Sequence, residues 1–368
     1  MKIKAIRVYQ VDLPLIEGRY TWAGGKHFVE TFDSTIVELI SDDGRKGYGE
    51  NTPLGSAYLP AFALGSRAGI AELAPQLLGQ DPTAVGRIND LMDTVLNGHP
   101  YAKSAIDMAC WDLLGQSAGK PICELMGGRH EDSFRLYRAI SMGTAEEMAE
   151  NVAGYREQGY SKFQLKVGGE PLEDIERIRA VRSILADDEI LVADANTGWR
   201  VDAAARVVNA VRDVDVYIEQ PCKSYEHSLT IRRRTALPFI LDENIDSLQM
   251  LIRAHQDGAM DAINLKISKF GGLTKAKIAR DLCVSLGIPM NIEDTWGSDF
   301  ITAAIAHLSH STPDAYRFAA TDFNAYVNVK TGSGLDDKQA GTATAPQTPG
   351  LGITPDFDVL GKPVFEAS

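Results

Sequence analysis

Six charged side chains close short apolar runs in the second half of this 368-residue chain: Lys166 ends FQLK, Asp194 ends LVAD, Glu219 ends VYIE, Asp242 ends FILD, Lys266 ends AINLK and Asp294 ends NIED. Three carboxylates on consecutive runs, flanked by two lysines, form a pattern with chemical content. Brought to one place, Asp194, Glu219 and Asp242 would repel one another unless a cation sat among them. A hard, all-oxygen set without His or Cys suits Mg²⁺, with Mn²⁺ as a substitute. Taken singly, each acid also reads as a helix cap or turn residue, and each lysine as a surface lysine with a buried stem. As a pair beside the acids, Lys166 and Lys266 point to proton transfer: a desolvated lysine near a divalent cation is expected to have its pKa lowered toward neutrality.

Such residues must be positioned by strands whose ends meet. From about Ser133, apolar runs alternate with helical stretches: Phe134–Ser141, Phe163–Lys166, Ile190–Asp194, Val216–Glu219, Phe239–Asp242, Ala262–Lys266, Pro289–Asp294 and Tyr316–Asp322. From the second run to the seventh, their last residues recur at intervals of 23 to 28. Eight such units predict an α/β fold, a (β/α)₈-like barrel (a modified TIM barrel) whose C-terminal strand ends share one mouth. A doubly wound sheet alternates similarly, but no G-x-G-x-x-G or P-loop follows an early strand. The first part reads differently. Strand-like Ile3–Leu13 and Ser34–Ile40 flank a Gly- and aromatic-rich stretch, Gly18–Gly25, that suits a mobile flap, and helical spacing follows from Ser66 to Gly115. The expected division is an α+β capping domain (1–125) with substrate-covering loops, a barrel (126–330) and a C-terminal segment (331–368) returning to the cap.

The formal net charge of −13 argues against nucleic acid or an anionic membrane as partner. Cys110, Cys123, Cys222 and Cys283 form no C-x-x-C pair and are expected to be buried and reduced, as in a cytoplasmic protein. The N-terminal residues MKIKAIRVYQVDLPL alternate like a strand and do not read as a signal peptide, and no apolar run is long enough to span a bilayer.

Taken together, AKSAIDMACWDLLGQSAGKPICELMGG, FQLKVGG, VADAN, IEQP, LDEN and NLKISKFGGLTKA resemble the enolase superfamily, in its mandelate racemase/muconate lactonizing group, over almost the whole chain. The resemblance implies Asp194, Glu219 and Asp242 as Mg²⁺ ligands and Lys166 and Lys266 as acid/base catalysts on opposite faces of a substrate. Lys269 reads as structural. It also implies α-proton removal beside a carboxylate, and a homo-oligomer. Two departures stand out. Gln164 occupies the place of a lysine two positions before the catalytic one, and Asn291-Ile292-Glu293-Asp294 does not match the His-Asp dyad of the acid-sugar dehydratases.

The segment Glu293–Asp299 bears on the substrate. Its D-x-W-G-x-D pattern is similar to that of members acting on proline derivatives. Asp294, Thr295 and Trp296 are expected to bind substrate, the indole face supplying cation–π attraction to a substituted ammonium, or else to pack as a buried Trp beside a capping Asp. Tyr20 and Trp22 on the flap and Tyr58 on the following loop are expected to close over a small ring, or to be ordinary surface loop. The expected partner is therefore a small-molecule, proline-type amino acid. Dehydration of cis-3-hydroxy-L-proline to Δ1-pyrroline-2-carboxylate is favoured over 2-epimerisation of hydroxyproline or proline betaines. The ground is the whole-chain resemblance, which is closer to the dehydratases; Glu293, Asp294 and Thr295, which look more like acceptors for an N–H than an aromatic cage, support an amino-acid substrate.

Overall fold

The computed structural model describes residues 1–335 and 341–368. Strands Ile3–Pro14, Thr31–Ser41 and Lys46–Asn51 form an antiparallel sheet, and the last strand of the chain, Phe365–Ala367, pairs with the first. One face of this sheet buries Ile6, Val8, Val37 and Leu39 against Ile70, Leu73, Ile106, Cys110 and Leu113 of the helices that follow, Ala63–Leu77 and Pro100–Ala118. The second of these starts with Pro100 in its first turn, where a missing N–H costs nothing, and stops at left-handed Gly119. It lies so close to the sheet that a Cβ on Gly49 would meet the Ala105 carbonyl at 2.0 Å.

Eight parallel strands make the second unit: Arg138–Ile140, Lys162–Lys166, Ile190–Asp194, Tyr217–Glu219, Phe239–Leu241, Ala262–Lys266, Met290–Glu293 and Arg317–Ala320. They lie side by side in chain order, and a parallel bridge from Leu136 to Ala320 joins the last to the first. The closed barrel expected from the eight apolar runs is therefore present. Helices follow the first seven strands, whereas the eighth is followed by a single 3₁₀ turn, Phe323–Ala325. The helix Asp299–His310 is buried along its whole length, wedged between barrel and cap, with polar Asp299, His307 and His310 buried among its apolar residues.

The Gly-rich flap differs from expectation: it is a hairpin, Tyr20–Trp22 paired with His27–Val29. Its tip docks on the barrel, with the Gly24 N–H donating to the Val167 carbonyl at 3.1 Å. Gly24 has φ +72°, and a Cβ there would meet the Gly168 carbonyl at 2.4 Å; both facts demand glycine. All four cysteines are buried and unpaired. Among the described residues no helix is long and apolar enough to cross a membrane.

Candidate active site

Parallel register places the sequence-predicted residues in a row. Lys166 lies opposite Asp194, and Asp194 opposite Glu219; Asp242 directly follows the fifth strand. Strands two and six are four places apart in a ring of eight, so Lys166 and Lys266 enter the mouth from opposite sides. All five side chains are buried.

Each acid has defined partners. Asp194 accepts from Lys166 Nζ (2.5 Å) and from the Asn196 N–H (2.8 Å). Asp242 accepts from Lys266 Nζ (2.6 Å), Lys269 Nζ (2.8 Å) and the Tyr58 hydroxyl (2.7 Å). Lys269 also donates to the Asp242 backbone carbonyl at 2.6 Å, in keeping with its structural reading. Glu219 is held by neutral amides: Gln164 Nε2 donates to both oxygens at 3.0 Å, and Asn264 Nδ2 to Oε1 at 2.6 Å. Gln164 and Asn264 stand two positions before the two lysines, so strand alternation points all four inward.

The electrostatics follow from burial and neighbours. Burial and the nearby Asp194 hold the Glu219 carboxyl well above the usual carboxylate range. Burial would do the same to Asp242, but Lys266 and Lys269 outweigh it and hold this group low. Glu243, next in the chain, is pushed up to about 8 by burial and by Asp242 and Asp194. For the lysines the protein groups alone, without the cation assumed in the sequence reading, set the balance. Burial lowers their pKa, but the carboxylates facing them prevail and both are raised, Lys166 by Asp194 and Lys266 by Asp242 and Glu293.

The donor set fits a hard divalent cation in kind: adjacent buried carboxylates that disfavour one another's charge, with Glu243 Oε2 and Asn196 Oδ1 buried beside them without hydrogen-bond partners. Among the described residues no three such side chains are already closed around one point; Asp194 and Asp242 face ammonium groups instead.

Above the acids lies a narrow cavity lined by Tyr20, Trp22, Leu54, Tyr58, Tyr137, Ala139 and Phe323, with Lys166, Lys266, Glu293, Asp294, Thr295 and Trp296. Tyr20, Tyr58 and the 294–296 segment thus reach the cavity together, but two details depart from expectation. Asp294 has Oδ2 bonded to the Ser268 N–H (2.9 Å) and hydroxyl (2.8 Å) and Oδ1 to the Thr295 N–H (2.7 Å), so its acceptors are spent on the protein. Burial pushes its carboxyl up to about 7, those hydrogen bonds opposing. The Trp296 ring stacks on Phe32 (4.3 Å, 19°) and packs at a tilt against Phe323 (5.0 Å, 31°), so it is packed among rings rather than offered to an ammonium. Thr295 pairs with the Tyr101 hydroxyl. Tyr137 and Phe323 were not singled out from sequence. Tyr137 sits within the first apolar run, where nothing but its parity marks it as facing inward.

Residues 147–359 match the model of the enolase C-terminal domain-like family, and residues 25–127 that of the mandelate racemase/muconate lactonizing enzyme N-terminal domain. The chain belongs to the enolase superfamily. Enzymes of this superfamily's mandelate racemase/muconate lactonizing group use Mg²⁺. The chain is 60% identical over all 368 residues, the full length of both chains, to a cis-3-hydroxy-L-proline dehydratase of Roseibium aggregatum. It is 32% identical over 322 residues, 84% of this chain and 85% of the relative, to an N-succinyl-L-Arg/Lys racemase of Bacillus cereus. A mandelate racemase/muconate lactonizing enzyme from Roseovarius nubinhibens, whose crystal structure was solved in complex with magnesium, superposes with a TM-score of 0.96 at 38% identity, covering all of both chains.

Proposed function

We propose that this superfamily member is a dehydratase that removes the α-proton of cis-3-hydroxy-L-proline and eliminates water to give Δ1-pyrroline-2-carboxylate. The observation that carries the reading is the placement of Lys166 and Lys266 on strands facing each other across the mouth. In a cis-3-hydroxy acid the hydroxyl shares a face with the carboxylate and the α-hydrogen occupies the other. The lysine facing the α-hydrogen takes the α-proton in its neutral form, which requires that the carboxylates now holding it as an ammonium, Asp194 or Asp242, be engaged by a cation instead. As the C2–H pair moves to form the C2–C3 double bond, the C3–O bond breaks, and the opposite ammonium supplies the proton that lets the hydroxyl leave as water. The resulting enamine tautomerises by shifting a proton from nitrogen to C3. Tyr20 and Trp22 of the hairpin and Tyr58 of the cap loop exclude water around the ring.

Asp194, Glu219 and Asp242 would hold Mg²⁺, with Gln164 and Asn264 orienting Glu219 and Lys269 holding Asp242. Bound there, the ion supplies Lewis acidity toward the substrate carboxylate. The 60% identity to a cis-3-hydroxy-L-proline dehydratase supports the substrate assignment. The packed faces of Trp296 remove the cation–π site that the sequence reading placed there for a substituted ammonium such as a betaine nitrogen.

Incubation with cis-3-hydroxy-L-proline and Mg²⁺ should yield a product that condenses with o-aminobenzaldehyde, and Lys166→Ala and Lys266→Ala should each abolish it. Absence of product, with α-proton exchange on proline betaine in D₂O, would replace this reading by a 2-epimerase.

A further inference from the structure

Two carboxylates line the cavity, Glu293 and Asp294, and they differ in what remains free. Both Asp294 oxygens are engaged by Ser268 and Thr295. Glu293 is 2% exposed and closes the seventh barrel strand, with Lys266 beside it in register. Its Oε2 is fixed by the Tyr137 hydroxyl and by Asn291 Nδ2 at 3.3 Å. Its Oε1 is buried with no hydrogen-bond partner, and Lys266 Nζ stands 3.5 Å away, outside hydrogen-bonding reach for a charged pair.

We propose that Glu293, oriented by Tyr137, is the counter-ion and hydrogen-bond acceptor for the ring ammonium of the substrate, and that it selects a secondary amine over a quaternary or uncharged ring. This deepens the proline-type reading given above and rests on it. A buried carboxylate oxygen without a donor is costly to maintain, and a secondary ammonium repays it with a charge-assisted N–H bond. A quaternary nitrogen has no N–H and would press methyl groups against that oxygen. A ring ether would meet it lone pair to lone pair. The acceptor role expected of the 293–294 pair thus falls on one member only, the one inside the barrel.

The test is binding of unreactive analogues, by calorimetry in the presence of Mg²⁺: L-proline, N,N-dimethyl-L-proline and tetrahydrofuran-2-carboxylate. The unmodified protein should bind L-proline roughly 10- to 100-fold tighter than the ether, the range of one hydrogen bond to a charged group. Glu293→Gln should bring that ratio near one while leaving ether affinity within a few-fold. Tyr137→Phe, which keeps the charge but loosens its aim, should reduce the ratio by a smaller factor; if Glu293→Gln fails to fold, an unchanged ratio in Tyr137→Phe overturns the proposal. Equal weakening of all three analogues by Glu293→Gln would also overturn it, because that is the signature of a residue acting only through Lys266. So would a retained preference for L-proline. Failure of the dehydratase reading is distinguishable: it shows as L-proline binding without turnover of cis-3-hydroxy-L-proline, and the analogue ratio still decides the role of Glu293.

Discussion

Tyr58 joins the cap to Asp242 and Lys266, and Tyr58→Phe isolates that link in a single atom. The hydroxyl donates to Asp242 Oδ2 at 2.7 Å and also meets Lys266 Nζ, while the ring lies 4.8 Å from that ammonium. Phenylalanine keeps the ring and its apolar burial and removes only the hydroxyl. A hydrogen bond to a charged partner contributes about 1.5–3 kcal/mol net, so the balance between a closed and an open 53–61 loop should shift by roughly 10- to 150-fold. Where the closed form no longer dominates, apparent affinity falls by the fraction lost. The expected result is a KM for cis-3-hydroxy-L-proline raised at least several-fold. The fall in kcat should be smaller, because Lys266 keeps its own 2.6 Å contact with Asp242. Steady-state kinetics give the split, and hydrogen exchange should show faster labelling in the 53–61 loop only. An unchanged KM with unchanged exchange would refute the coupling. An equal collapse of kcat with KM unmoved would reassign the hydroxyl to the chemical step.

Chelation of divalent cations should abolish turnover, and added Mg²⁺ should restore it and raise Tm, as expected for an ion that binds only the folded chain. Trp296→Phe should lower stability by about 1–3 kcal/mol in urea titration, since it thins the stack on Phe32 and Phe323, yet barely change analogue selectivity; lost discrimination between L-proline and its betaine would restore the cation–π role. His307 is buried between the Cys123 N–H and the Leu351 carbonyl, and burial depresses its pKa to about 3. A lowered folded-state pKa means a contribution present above pH 6.5 and lost progressively below it. Asp107 and Asp112, raised by burial to about 6, act in the opposite sense, their contribution fading as pH rises toward 6. His307→Gln should therefore make the stability change from pH 7 to pH 5 more favourable than in the unmodified protein by about 2 kcal/mol; identical pH slopes in denaturant titrations would exclude His307 as the titrating group.

The barrel was legible because each strand is a short apolar run ended by a charge, and the mouth because parallel strands align such ends. What failed to show were features that depend on one residue of parity or on distant partners. The seventh run was taken to end at Asp294, but the strand stops at Glu293. Side chains alternate along a strand, so that one position decides which acid faces Lys266 and which faces Ser268. Trp296 looked open because nothing near it in sequence announces Phe32, a residue of the cap sheet, on its face. The sequence reading of the lysines weighed burial and a cation, not direct pairing with the acids. That Asp194 and Asp242 pair with them at 2.5–2.6 Å is visible only in three dimensions.

The same distinction between local and distant partners explains how a cap of separate sequence can complete a barrel site with the needed accuracy. Three buried cap carboxylates end on backbone N–H groups outside the cap's own core. Glu50 accepts from the N–H groups of Ser298 (2.9 Å) and Ile301 (3.0 Å), at the start of helix Asp299–His310. Asp107 accepts from Thr274 (2.9 Å) in the first turn of helix Leu273–Leu286. Asp112 accepts from Leu351 (2.8 Å) in the C-terminal segment. The first two are helix N-termini whose free donors and dipole favour an anion, so the cap closes each with a charge that the barrel sequence does not supply. Those helices follow the seventh and sixth strands, which carry Glu293 and Lys266. Docking there anchors the cap next to the strand ends that carry Glu293 and Lys266, the two side chains whose proposed roles depend most on position.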